Sequence, residues 1–356
     1  MVKNFLKRKD IEISFKRYFI DAMGAMAQGL FASLLIGTII STIGQQFGIE
    51  TLVNIGNYAK SATGAAMAVA IGYALRAPQL VLFSLLAVGA ASNELGGAGG
   101  PLAVLIIAII SAEFGKAVSK ETKIDIIVTP LVTIIIGVLL SMAIAPFIGK
   151  VASSVGTAVM WATEQQPFIM GILVSVIIGI ALTLPISSAA ICAALSLTGL
   201  AGGAAVAGCC AQMVGFAVMS FKENKFGGLL AQGIGTSMLQ MGNIVKKPII
   251  WLPPIITSAI TGPLATCLFK LQMNGAAVSS GMGTCGLVGQ IGVITGWFNP
   301  SAEAIKNGAV AISPNAFDWI GLILISFVLP AVITWILGTV FRKMGWIKEN
   351  DLKLDL

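Results

Sequence analysis

The chain has 356 residues, of which 56% are hydrophobic and 10% charged, with a mean hydropathy of +0.93 and a formal net charge of +7. Soluble domains carry roughly 25% charged residues, so this composition excludes a water-soluble globular protein and describes an all-α polytopic membrane protein in the cell membrane. Histidine is absent, which removes histidine metal sites, histidine general bases and phosphohistidine relays; no metal or cofactor is expected.

Residues 1–21 form a basic amphipathic amino terminus. Phe5, Leu6, Ile11, Ile13 and Phe15 interrupt Lys7-Arg8-Lys9 and Lys16-Arg17, as in a helix lying on the membrane surface. No cleavable leader pattern is visible there. Ala22–Ile43 is the first expected span. Ser61–Leu75 is short and ends at Arg76, Pro78–Ala91 follows, and Ser92-Asn93-Glu94-Leu95-Gly96-Gly97-Ala98-Gly99-Gly100 makes a polar break. Pro101–Gly115 runs into a lysine-rich loop, and Ile124–Ile148 supplies the roughly 20 apolar residues a crossing needs. Lys150–Gln166 is milder, contains Ser153-Ser154 and Glu164, and reads as an interfacial helix (150–166) linking two membrane parts, 22–149 and 167–341. In the second part Phe168–Leu184, Leu200–Phe221, Ile249–Phe269 and Phe317–Phe341 read as spans, with a Ser/Ala/Gly-rich bend at Pro185–Gly199. Residues 342–356 form a tail. Basic residues cluster at segment ends, at Lys116/Lys120/Lys123, Lys222/Lys225 and Arg342-Lys343, which predicts that both termini are cytoplasmic and accounts for the net charge without nucleic acid.

Two segments differ from ordinary spans. Residues 227–243 hold Gly227, Gly228, Gly233, Gly235 and Gly242 among Gln232, Thr236, Ser237, Gln240 and Asn243; residues 274–296 hold Ser279, Ser280, Thr284 and Gln290 among glycines. Glycine loosens a helix and exposes its backbone, and irregular backbone at membrane depth survives only where protein or a watery cavity meets it. Both segments therefore point to a solute site near the midplane. Lys222/Lys225 and Lys246-Lys247 both carry cytoplasmic signals, yet the segment between them is long enough for one crossing only. A re-entrant hairpin at 227–243 keeps both on one side, and the same logic makes 274–296 re-entrant from the other face; the plain alternative is a spanning helix with a translocated lysine pair.

Gln232, Thr236 and Gln240 share a face if their segment is helical. Neutral amides and hydroxyls offer donors and acceptors together, which suits a polyhydroxylated solute; their bland role is to glue helices. Ser187 and Ser188, after Pro185, are candidates for a third wall. Asn93 and Glu94 are secondary candidates, with an interfacial loop carboxylate as the slightly favoured reading of Glu94. Glu113 is placed to pair with Lys116 one turn on. The five cysteines, Cys192, Cys209, Cys210, Cys267 and Cys285, have no metal spacing and read as small buried hydrophobes. Gly99-Gly100 with Lys120-Glu121-Thr122-Lys123 is weakly echoed by Gly202-Gly203 with Lys222-Glu223-Asn224-Lys225. No catalytic signature is present, so no catalytic residue is assigned.

Several ordered strings resemble one known group: Leu184-Pro185-Ile186-Ser187-Ser188-Ala189-Ala190, Gly208-Cys209-Cys210-Ala211-Gln212-Met213-Val214-Gly215-Phe216, Gly235-Thr236-Ser237-Met238 with Asn243, and Gly281-Met282-Gly283-Thr284 with Gly286-Leu287-Val288-Gly289-Gln290. They are similar to the second EIIC-type family of the phosphotransferase system, which includes perfringolysin-regulator-type membrane proteins. The resemblance implies a homodimeric sugar permease of about ten helices, in which a scaffold part holds the dimer and a transport part carries the solute between two re-entrant loops. It departs from glucose-type EIIC proteins, which use a histidine and a glutamate near the sugar. No EIIA- or EIIB-like segment is visible, so any phosphate is expected from a separate cytosolic EIIB-type protein. The alternative is a membrane sensor that binds a similar solute without net transport.

Overall fold

A chain in lipid must satisfy its backbone polar groups internally, and this one does so with helices. The computed structural model describes residues 2–354; Met1, Asp355 and Leu356 of the predicted termini lie outside the described residues. Among the described residues the β-type pairing is the isolated bridge between Gly199 and Met273. Six helical stretches are long and apolar enough to cross a bilayer: Arg17–Phe47, Gln79–Val118, Asp125–Thr163, Gly199–Met219, Pro248–Leu268 and Ala316–Lys343. Thr63–Ala74, Pro167–Thr183 and Cys285–Phe298 are shorter apolar helices. The protein is thus all-α and polytopic.

The stretch Gln79–Val118 is two antiparallel helices. Gly97 takes a left-handed φ of 50° between Gln79–Gly96 and Gly100–Val118, and a side chain at Gly115 would lie 2.9 Å from Val81. Each arm, at 18 and 19 residues, reaches about 27 Å, close to the hydrocarbon thickness. The turn occupies the polar break read from the sequence.

The chain divides into two compact units, Met1–Ala152 and Ser153–Leu356. The boundary falls inside the helix Asp125–Thr163, which runs without interruption into the residues expected to be interfacial. In the first unit Arg17–Phe47 packs antiparallel to Glu50–Ser61 and Thr63–Ala74, with backbone touching backbone at glycines: a Cβ on Gly56 would lie 2.4 Å from Gly37 O, and one on Gly29 2.6 Å from Ala66 O. The amino-terminal strap is tied down by charge. Arg17 donates to the Asp10 carboxylate at 2.9 Å and to Leu75 O at 2.8 Å. Lys116, whose side chain is 1% exposed, donates to Asp10 O and Leu75 O and pairs with Glu113 at 3.0 Å, so the pair read from the sequence forms. The Arg17 hydrogen bond leads the causes that hold the Asp10 carboxyl below its ordinary pKa.

In the second unit Pro167–Thr183, Gly199–Met219 and Pro248–Leu268 pack around glycines, and the helix Ala316–Lys343 closes against them. Its start is a capping box: Asn315 accepts from the Phe317 and Asp318 N–H groups while Asp318 accepts from Asn315 N at 2.8 Å. Asn315→Ala is expected to cost about 1 kcal/mol, read as a lowered thermal midpoint in detergent; an unchanged midpoint would show that the helix start does not depend on this cap. Cys192, Cys209, Cys210 and Cys285 are buried as expected, whereas Cys267 is exposed on an apolar helix.

Candidate functional site

The first glycine-rich segment is a hairpin built from broken helix. Phe221–Leu230 is interrupted at Lys225 (φ 51°) and continues as a wide π-helical turn over Ala231–Gly235. Thr236 is extended, with φ −158° and ψ 143°, and its hydroxyl caps the turn Ser237–Gln240 by accepting from Met238 N. Met241–Lys246 completes the return. Both ends reach one short stretch of the carboxy-terminal tail: Lys222 pairs with Glu349 at 3.3 Å and Lys247 with Asp351 at 2.6 Å. One peptide stretch thus joins Lys222 and Lys247.

Because Thr236 is extended, Gln232, Thr236 and Gln240 do not form one helical row. Gln232 and Gln240 still meet: Gln240 Nε2 donates to Gln232 Oε1 at 2.9 Å, and Asn243 Nδ2 donates to Gln240 Oε1 at 2.8 Å. Gln232 also donates to Ser220 Oγ and Gly228 O. The remaining donor contacts of Gln240 and Asn243 go to the tail, at Leu352 O and Lys353 O.

Ser237 points elsewhere. Its hydroxyl lies 2.7 Å from Thr183 Oγ1 at the end of the helix Pro167–Thr183, and Thr183 donates to Gln212 Oε1 at 3.3 Å. Gln212 Oε1 also accepts from the Trp251 indole N–H at 2.9 Å, while its Nε2 donates to Ser258 Oγ at 3.3 Å. The helix Pro167–Thr183 and the stretch Pro248–Leu268 thus converge on one buried amide, and the first hairpin joins them through the Ser237–Thr183 contact. Gln212 and Ser237 are fully buried, and Trp251 is half-buried. Gln212, Thr183 and Trp251 were not among the site residues read from the sequence. A signal existed: Gln212 is the one strongly polar side chain in the apolar helix Gly199–Met219.

The second glycine-rich segment also returns on itself. Ser301 N donates to Asn274 O at 2.9 Å, and a Cβ on Gly275 would lie 2.4 Å from Gly292 O. Left-handed residues Gly283, Gly286 and Leu287 turn its tip. Ser188 donates to Gly281 O at 2.7 Å and Ser280 to Leu197 O at 2.6 Å, stitching the tip to the bend 185–198. Ser187 caps the short helix Ser188–Ala194 by accepting from Ala190 N. Thr284 contacts Met213 Sδ at 3.6 Å, Gln290 donates to Ser326 Oγ at 3.0 Å, and Ser279 is buried beside Gly292.

Asn93 and Glu94 belong to the first unit, Asn93 half-buried and Glu94 exposed near the end of the helix Gln79–Gly96. An open cavity of about 500 Å³ also belongs to that unit, lined by Leu6, Lys7, Asp10, Ile11, Glu12 and Ile13; none of the expected solute residues lines it. Among the described residues no group of three or more Cys, Asp or Glu side chains is placed to hold a metal ion. The Gln212 cluster is uncharged. It can donate to and accept from hydroxyl groups, with an aromatic face alongside.

The family model for the EIIC component of the phosphotransferase system, of the second type, matches residues 20–354. No curated protein and no solved structure matches the chain.

Proposed function

This chain belongs to the phosphotransferase system EIIC family, the permease-type membrane component of a sugar system, and from that premise we propose that its solute is bound at the cluster of Thr183, Gln212, Ser237 and Trp251. The observation that carries this reading is the convergence of Thr183, Trp251 and Ser258 on the Gln212 amide, with Ser237 of the first hairpin joined to it through Thr183. Sugar hydroxyls exchange hydrogen bonds readily with amides and hydroxyls, and the apolar face of a sugar ring suits the side of an indole. A neutral solute needs no countercharge, and the cluster offers none.

Solute access requires movement, since Gln212, Thr183 and Ser237 are buried here. We assign that movement to the hairpin 227–243, read as re-entrant in the membrane, because Ser237 sits on it and closes over Thr183. Its Thr236 break supplies a hinge at an extended residue between two helical turns. Gln232, Gln240 and Asn243 brace the hairpin, while Ser187, Ser188, Ser279, Ser280, Thr284 and Gln290 form and support the opposing wall. The basic segment ends support cytoplasmic termini, and a separate EIIB-type protein, the usual partner in this family, would supply phosphate. A homodimer is part of the same reading.

The test is a thermal-stability screen of purified protein against sugars, sugar acids, polyols and nucleosides. A ligand specific for the folded state raises stability by about 2.7 kcal/mol at a hundredfold excess over Kd. A concentration-dependent rise with one sugar class, followed by uptake of that sugar into liposomes holding the protein and its EIIB partner, is the expected result. Binding without uptake would favour a sensor, and no shift across the panel with the partner present would overturn the sugar assignment.

A further inference from the structure

The tail is held by more than its ion pairs. Asn224 Nδ2 donates to Leu352 O at 2.7 Å, and Asn224 Oδ1 accepts from Leu354 N at 2.8 Å. One side-chain amide therefore reads an acceptor and a donor on the same stretch of main chain, just beyond the turns in which Asp351 N donates to Lys348 O and Lys353 N to Asn350 O. Gln240 donates to the same Leu352 O at 3.0 Å, and Asn243 to Lys353 O at 2.9 Å. Leu352 is fully buried between these contacts, and Ile347 is 2% exposed. Asp351 is flanked by Lys247 and by Lys348 N. Burial pushes its carboxyl up, but the Lys247 hydrogen bond and the Lys348 N–H outweigh this and hold it below its ordinary value, so it is charged at neutral pH. The Lys222–Glu349 pair is exposed and adds little.

This combination is a peptide-binding cradle: amides that read main chain, one buried apolar anchor and one lysine for an acidic residue. Both arms of the first hairpin contribute to it, Asn224 from one and Gln240, Asn243 and Lys247 from the other. We propose that residues 347–354 are a built-in peptide ligand that clasps the two arms together, and that their departure releases the hairpin. The cradle selects a turned segment with an acidic residue directly before a leucine, the Asp351-Leu352 pattern of the tail. This goes beyond the permease reading and does not depend on it, because every contact lies within the unit Ser153–Leu356 and the test needs no transport assay.

The experiment is amide hydrogen exchange on the full chain in detergent. Leu352→Asp places a charge in the buried anchor position and is expected to detach the tail. Exchange over residues 236–246 should then quicken about tenfold or more, while the helix Gly199–Met219 keeps its protection. A synthetic peptide of residues 346–354, added in excess, should slow the hairpin again. Unchanged exchange in the hairpin, an equal rise across Gly199–Met219, or no reversal by the peptide would each overturn the proposal. If Leu352→Asp does not fold, the charge swap takes its place: Lys247→Asp or Asp351→Lys alone should quicken hairpin exchange, and the two together should restore it. Failure of the double swap to restore protection also counts against the latch.

Discussion

Gly208→Val is expected to destabilise the protein by at least about 4 kcal/mol, enough to abolish recovery of folded material. A Cβ at Gly208 would lie 1.9 Å from Ser175 O, where ordinary contact begins at 3.4 Å. The contact is with backbone, so no rotamer change relieves it, and the helices Gly199–Met219 and Pro167–Thr183 must separate by about 1.5 Å. The neighbouring contacts forbid this. A Cβ on Gly262 would lie 2.0 Å from Gly171 O, Ser175 donates to Ser258 O at 2.7 Å, and Ser258 donates to Gly208 O at 3.4 Å. Three helices are thus locked at one level by small residues and short polar links, the arrangement that holds helices together where lipid offers no hydrophobic drive. The control is Gly24→Ala, since nothing lies within 4 Å of a Cβ there. Size-exclusion profiles and thermal midpoints should separate the two variants sharply. A Gly208→Val protein that is monodisperse and melts within a few degrees of the parent would refute this account of the packing.

Much of this architecture is readable in the sequence because its cause is local. Apolar runs mark the spans, and the polar break at 92–100 marks a turn that the structure makes at Gly97. The conflict between Lys222/Lys225 and Lys246-Lys247 is a charge argument for re-entry, and the tail stretch with which Lys222 and Lys247 pair does not figure in it. The clustering of Gln232, Gln240 and Asn243 is likewise visible from spacing, and they bond to one another. Their outer partners are not visible, because Leu352 O and Lys353 O are main-chain acceptors that every residue carries. Gln212 is hidden for a different reason. Its string reads as packing helix, and its importance comes from Thr183, Ser258 and Trp251, which other segments bring to it. The same limit applies to the long helix Asp125–Thr163: Pro130 and Pro146 lie within it without ending it, so local breaker signals do not fix its length.

Gln212→Leu is expected to reduce solute affinity and uptake about a hundredfold, because a site built to hydrogen-bond hydroxyls loses discrimination steeply when its amide is removed. The substitution keeps volume and helix propensity but deletes the acceptor shared by Thr183 and Trp251 and the donor to Ser258. Leaving those groups short of a partner costs about 1–3 kcal/mol of stability. Thr183 retains its contact with Ser237 and Ser258 its bond to Pro254 O, so the fold should survive. The stability loss alone does not produce the binding loss, and a second variant keeps the two apart. Trp251→Phe removes the indole N–H but preserves an aromatic face, and should cost about tenfold in affinity. A purely structural Gln212 would give the opposite pattern: a lowered melting midpoint with solute affinity intact in the folded fraction. Titrating the identified sugar into each folded variant, by the stability shift it produces, decides between them. If Gln212→Leu binds as the parent does, the solute site lies elsewhere and the amide is only the knot that ties the helices together.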